Sequence, residues 1–192
     1  YLDSLTSKGF VVDTISMDSD MAKNDRPVYL LAADGMPTMR EGRGDFLLDA
    51  TKKAIAHLSA KAEPFLLMIE GSQIDWGGHA NDADYLITEL LDFDKTVGAV
   101  FDYAKEQGNT LVIITADHET GGFTLSSKQT KVAGLLSSIS DYDSIAPTFS
   151  TGGHSATMVP VLSFGPGSRH LSGIYENTHI YDVMMRAVKV KP

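Results

Sequence analysis

The chain has 192 residues, 43% of them apolar, and a formal net charge of −9 at pH 7. That is enough apolar chain to bury a core, and too acidic for a general binder of nucleic acid or anionic membrane, which needs clustered Lys and Arg. There is no cysteine, so a disulfide framework and a thiolate metal site are excluded, and any metal would be held by His, Asp and Glu.

No apolar run approaches the roughly 18–20 residues of a membrane span, and the first residues lack a signal-peptide pattern. Residues 1–8 read as the last turns of a helix, Gly9 as its left-handed cap and residues 10–15 as the strand that follows. A chain that opens in this way is expected to be part of something longer. Residues 28–33 form a second short apolar run, expected as a strand. Residues 33–45, rich in Gly and mixed charge, read as a loop, and their Arg43-Gly44-Asp45 triplet as ordinary loop sequence. Over residues 45–60 the apolar positions Phe46, Leu47, Ala50, Ala54, Ile55 and Leu58 keep a helical period, with Asp45 placed to cap it. His57 reads as a packing or surface histidine.

Residues 65–69 are a continuous apolar run between Pro64 and Gly71, the pattern of a strand buried on both faces of a parallel sheet. A polar, Gly-rich loop is expected after it, through His79. Residues 82–107 carry the strongest helical pattern, with an apolar stripe through Ala83, Leu86, Leu90, Val97, Phe101 and Ala104 and a stop at Gly108. Asp92 and Asp94 within it are expected to be solvated or locally paired. The β-branched run 110–116 then completes a strand–helix–strand unit with the run 65–69, which implies parallel strands and an α/β architecture with helices flanking the sheet. Beyond it a short hairpin is expected to open at Gly121-Gly122, a helix over 132–139, loop over 141–148 and a near-edge strand over 158–164 that tolerates Pro160. A turn-rich connection over 165–173 and a closing helix over 178–188 follow, with His170 and His179 expected at the surface. The whole, residues 1–192, reads as one α/β domain.

The chemistry-bearing residues gather where strands end. Glu70, Asp75 and His79 follow the run 65–69, Asp117 and His118 follow the run 110–116, and His154 stands in a third loop. Ligands in α/β sheets bind beyond the carboxyl ends of strands. Asp117 and His118 would share an ion only if the strand has ended by Ala116, because neighbouring strand residues face opposite ways. His79 and His154 each follow a Gly-Gly pair, which would let backbone approach a crowded centre. Carboxylate and imidazole without thiolate suit Zn²⁺ or a similar divalent ion at a site with an open position.

Three segments carry a resemblance. Glu70-Gly71-Ser72-Gln73-Ile74-Asp75-Trp76-Gly77-Gly78-His79, then Thr115-Ala116-Asp117-His118-Glu119-Thr120-Gly121-Gly122, then Gly152-Gly153-His154-Ser155 resemble, in order, the metal-binding motifs of the alkaline phosphatases. The resemblance covers the chain from about Asp45 onward. It implies an incomplete alkaline-phosphatase-like fold and two zinc ions and a magnesium per complete site. Asp75, His79 and His154 would hold one zinc, Asp117 and His118 would contribute to the second, and Glu70 would bind the magnesium. It also implies hydrolysis of phosphate monoesters through a phosphoserine, export to the periplasm or cell exterior, and a homodimer. Residues 121–152 correspond to a region of variable insertions. The family's Asp-Ser-Ala nucleophile motif, a further aspartate ligand and a phosphate-binding arginine belong to its N-terminal half and have no counterpart here. Ser72 and Ser155 are outside the nucleophile context, so no residue of this chain is assigned as catalytic and the chain alone is expected to be inactive. Two other readings stay open: a different two-metal phosphate or sulfate hydrolase or mutase of the wider superfamily, and a non-catalytic metal-binding module.

Overall fold

The computed structural model describes residues 1–17, 26–131 and 138–189. Helix α1 (Leu2–Ser7) leads through Gly9 into β1 (Val11–Asp13), which pairs in parallel with β2 (Pro27–Tyr29). Then come α2 (Phe46–Ser59), α3 (Gln73–His79), the long α4 (Ala83–Gln107) and β3 (Val112–Ile114). Short β4 (Glu119–Thr120), the hairpin strands β5 (Thr124–Lys131) and β6 (Ser138–Thr148), short β7 (His154–Ser155), β8 (Leu162–Phe164) and α5 (Thr178–Lys189) complete the order.

Helix α4 is the spine. The Asp82 carboxylate accepts the Tyr85 N–H at 3.0 Å at its start, and Gly108 ends it in a left-handed conformation (φ 70°) that lets its N–H reach the Ala104 carbonyl. On it pack α2, α3 and β3, and Leu48, Tyr85, Leu86, Ala104 and Val112 are buried there. Phe101 of α4 meets Phe164 of β8 with ring centroids 4.4 Å apart. No helix among the described residues is long and apolar enough to cross a membrane.

The buried face of α4 is not wholly apolar. Glu89, Asp92 and Thr96 lie on it, each under 5% exposed. The expectation that Asp92 is solvated or locally paired is therefore corrected: its partner is Arg43, 49 residues away, whose guanidinium reaches Asp92 Oδ2 at 2.9 Å and also pairs with Glu89. Burial pushes the Arg43 guanidinium down, but the hydrogen bonds to the two carboxylates outweigh it and hold the group above its ordinary range. Glu89 also accepts the Met39 N–H at 2.8 Å. The loop 33–45 is thus fastened to α4 by charge. Asp45, at the start of α2, does not cap it with its side chain, because its carboxylate is taken by Lys95 at 2.6 Å.

Other differences from expectation have physical causes. Residues 65–69 join no ladder among the described residues. Phe65, Leu67 and Ile69 are half-buried while Leu66 and Met68 are 54% and 80% exposed, so one face is covered rather than two. Strand β3 pairs instead with β8, antiparallel, Val112 opposite Phe164 and Ile114 opposite Leu162. The loop expected over 141–148 is part of β6, which pairs antiparallel with β5 from Thr124↔Thr148 to Lys131↔Ser138 with a register shift at Ser127/Lys128. This ribbon is solvated on most of its surface, so main-chain pairing holds it without the apolar alternation that would have announced it. Of the helix expected over 132–139, residues 132–137 lie outside the described residues, and 138–139 belong to β6. Helix α5 forms where the pattern placed it, with Val183 3% exposed.

Candidate metal centre

The stretch expected as loop from Glu70 to His79 is in fact largely helix α3. Its two glycines serve packing rather than bending. A Cβ on Gly77 would stand 2.6 Å from the Leu86 nitrogen of α4, and one on Gly78 would stand 2.9 Å from the Thr120 carbonyl of β4. Only glycine lets α3 be wedged between those two backbones. Gln73, 4% exposed, anchors the start of the helix by donating to the Met36 carbonyl at 2.6 Å and accepting from the Tyr85 hydroxyl at 2.8 Å. Trp76 lies over Gly35, where a Cβ would meet its ring at 2.5 Å. The glycines before His154 are different: a Cβ on Gly152 or Gly153 would meet nothing closer than 3.9 and 3.8 Å, so the close approach expected there occurs only at Gly77-Gly78.

Being helical, α3 places Asp75 and His79 one turn apart on the same face. His79 Nε2 lies 3.5 Å from Asp75 Oδ2, His154 Nε2 lies 3.7 Å from Asp75 Oδ1, and the two Nε2 atoms are 3.2 Å apart. One ligand atom from each of the three residues falls within 4.8 Å of the others. Bonds of about 2.0–2.1 Å to a tetrahedral ion put neighbouring ligand atoms about 3.3 Å apart, which is the spacing seen. The tautomer agrees. His79 Nδ1 is 2.8 Å from the Gly152 carbonyl, which can only accept, so Nδ1 carries a proton and Nε2 is the ring atom placed to ligate an ion beside His154. A carboxylate and two imidazoles around one point make a cation-binding set, and their side chains are 35–48% exposed, leaving the fourth side open.

Thr120, buried at 8% exposure, is the residue that sequence reading passed over. Its hydroxyl has one proton and donates it to Asp75 Oδ1. Toward His118 Nδ1, 3.2 Å away, it can then only accept, so Nδ1 carries a proton, and His118 Nε2 lies 3.2 Å from Asp117 Oδ2. Strand β3 has ended at Ile114, so Asp117 and His118 escape the alternation of a strand and come together as the sequence required. The His118 ring stacks on that of His154 with centroids 3.6 Å apart. Glu70, exposed at the end of the run 65–69, takes part in no hydrogen bond or ion pair among the described residues and is not drawn into this group.

The strand pair that carries His154 is held on its other side. The Ser155 hydroxyl donates to Glu119 Oε2, and Glu119 Oε1 accepts the Phe123 N–H at 2.9 Å. The Ser155 bond, then the Phe123 and Gly122 amides, hold the Glu119 carboxyl below the usual range against the opposing effect of burial. The alkaline phosphatase family profile matches residues 9–146. The chain belongs to the alkaline phosphatase family. Alkaline phosphatase 3 of Bacillus subtilis is 30% identical over 88% of this chain and 51% of its own length, and the Escherichia coli alkaline phosphatase is 30% identical over 82% and 33%. The solved alkaline phosphatase of the Antarctic bacterium TAB5 superposes with a TM-score of 0.90 at 49% identity over all of this chain and 55% of that one. Mutants of the TAB5 enzyme have magnesium bound in a site called M3. The chain spans about half the length of the relatives it matches, or less. Alkaline-phosphatase-like α/β architecture is therefore shown.

Proposed function

We propose that this chain is the metal-binding part of an alkaline phosphatase that hydrolyses phosphate monoesters through a phosphoserine, with Asp75, His79 and His154 holding one zinc. The observation that carries the reading is the convergence of two imidazole Nε2 atoms and a carboxylate at 3.2–3.7 Å, supported by family membership. Asp117 and His118 contribute to a second zinc, and Glu70 to a magnesium, the ion found in the TAB5 mutants. Divalent ions so held supply charge stabilisation to phosphoryl oxygens and a low pKa to bound water.

The chain's own residues do the positioning. His79 is oriented by the Gly152 carbonyl, Asp75 and His118 by Thr120, and α3 as a whole by its close contact with α4. An Asp-Ser-Ala nucleophile occurs nowhere in residues 1–192, so the chain by itself turns over no substrate. The test is to assay, with zinc and magnesium present, this chain alone and a protein extending it to the length of its relatives, on an aryl phosphate and an aryl sulfate. Phosphate hydrolysis by the long protein, lost in His79→Ala and absent from the 192-residue chain, is expected. Turnover by the short chain, or preference for the sulfate, would overturn the reading.

A further inference from the structure

Strands β4 and β7 form a ladder of two residue pairs, Glu119↔Ser155 and Thr120↔His154. Directly opposed residues of an antiparallel ladder share a face, and the next pair lies on the other. Thr120 and His154 therefore front the centre, and Glu119 and Ser155 are behind it. On that rear face the Ser155 hydroxyl donates to Glu119, whose other oxygen is held by the Phe123 N–H, and Ser155 Oγ also lies 3.1 Å from Thr157 Oγ1 and 3.4 Å from Thr157 N. We infer that Glu119 and Ser155 are positioning residues of the metal centre: their hydrogen bond fixes the register of β7 on β4 and so sets His154 against Asp75 and His79.

The physical need is plain. A two-residue ladder, continued by the Gly121 N–H on the Gly153 carbonyl at 2.9 Å, is short, and a slip of one residue would carry His154 to the opposite face. The preceding Gly152 and Gly153 carry no side chain to pin the register, and their side-chain partners are the His79 ring on the Gly152 carbonyl at 2.8 Å and the Thr151 hydroxyl on the Gly153 N–H at 3.1 Å. A hydroxyl-to-carboxylate bond is about twice as strong as a neutral one, and this one ties the strand after Asp117 and His118 to the strand of His154. In the sequence Glu119 and Ser155 are 36 residues apart, each next to a histidine of the centre.

The inference rests on Asp75, His79 and His154 holding an ion, and the test separates the two. Cobalt(II) is titrated into the whole chain, following its visible absorption, for the parent, Ser155→Ala, Glu119→Ala, the double variant, Ser155→Thr and His154→Ala. Loss of an outer partner of a metal ligand costs about 10–100-fold in affinity. Each alanine variant is expected to bind at least about tenfold more weakly with an altered band, the double no more weakly than either single, and Ser155→Thr to bind as the parent does. If Ser155→Ala does not fold, Glu119→Gln, which keeps the shape and loses the charge, is expected to show the weakening. Parent-like affinity and band in Ser155→Ala and Glu119→Gln, with the band lost in His154→Ala, overturn the inference and leave the site standing. Equal binding by the parent and His154→Ala overturns both.

Discussion

Thr120 shows how a single hydroxyl can organise two candidate ligand groups. One proton goes to Asp75 and one lone pair to His118, so replacing it by valine keeps shape and removes both bonds. Thr120→Val is expected to lower zinc affinity about tenfold, read by competition with a chromophoric chelator, while the metal-free chain loses about 1–3 kcal/mol in urea unfolding because a hydrogen bond to a carboxylate and one to an imidazole are removed. A second residue makes a pH prediction. The Tyr85 N–H first, and then the Arg40 side chain, hold the Asp82 carboxyl below the usual carboxylate range. A depressed folded pKa means a stabilisation present above the unfolded value and lost as pH falls through the folded one. The unfolding temperature of the parent should exceed that of Asp82→Ala at neutral pH, and the gap should close as the pH falls below the ordinary carboxylate range. A gap that persists unchanged into acid would contradict this origin.

Helix α3 is the element on which sequence and structure part. Its candidate ligands Asp75 and His79 stood out because carboxylate and imidazole recur where apolar runs end, but its helicity was not legible. Seven residues that include Gly77 and Gly78 have poor local propensity and too few turns to nucleate alone. Contact with α4 and β4 overrides that, and a glycine pair chosen for close approach looks the same in sequence as one chosen for a turn. A matched pair of substitutions tests this. In Gly77→Ala the new methyl meets Leu86 backbone at 2.6–2.7 Å and should destabilise by about 1–3 kcal/mol or more, whereas Gly98→Ala, in α4 with open space around it, should stabilise by about 0.5–1 kcal/mol. Chemical unfolding of both variants gives the two signs directly.

Across the whole molecule, what the sequence disclosed was local in character: helix α4 with its stop, the closing helix and the α/β class. What stayed hidden depends on partners far along the chain. The burial of Asp92 is decided by Arg43, in a stretch read as ordinary loop, and the β5–β6 ribbon is held by main-chain pairing between polar, exposed stretches. Arg43→Ala would leave Glu89 and Asp92 buried without their cation and is expected to cost about 3–5 kcal/mol in urea unfolding, a loss far beyond that of an exposed ion pair.

The most direct measurement is zinc content after exhaustive dialysis, by elemental mass spectrometry, on the chain and on Asp75→Ala and His154→Ala, with circular dichroism confirming that all are folded. About one firmly held zinc per parent chain, absent from both variants, is the expected result. A folded parent that retains no more zinc than His154→Ala would contradict the assignment of these three residues as a metal site.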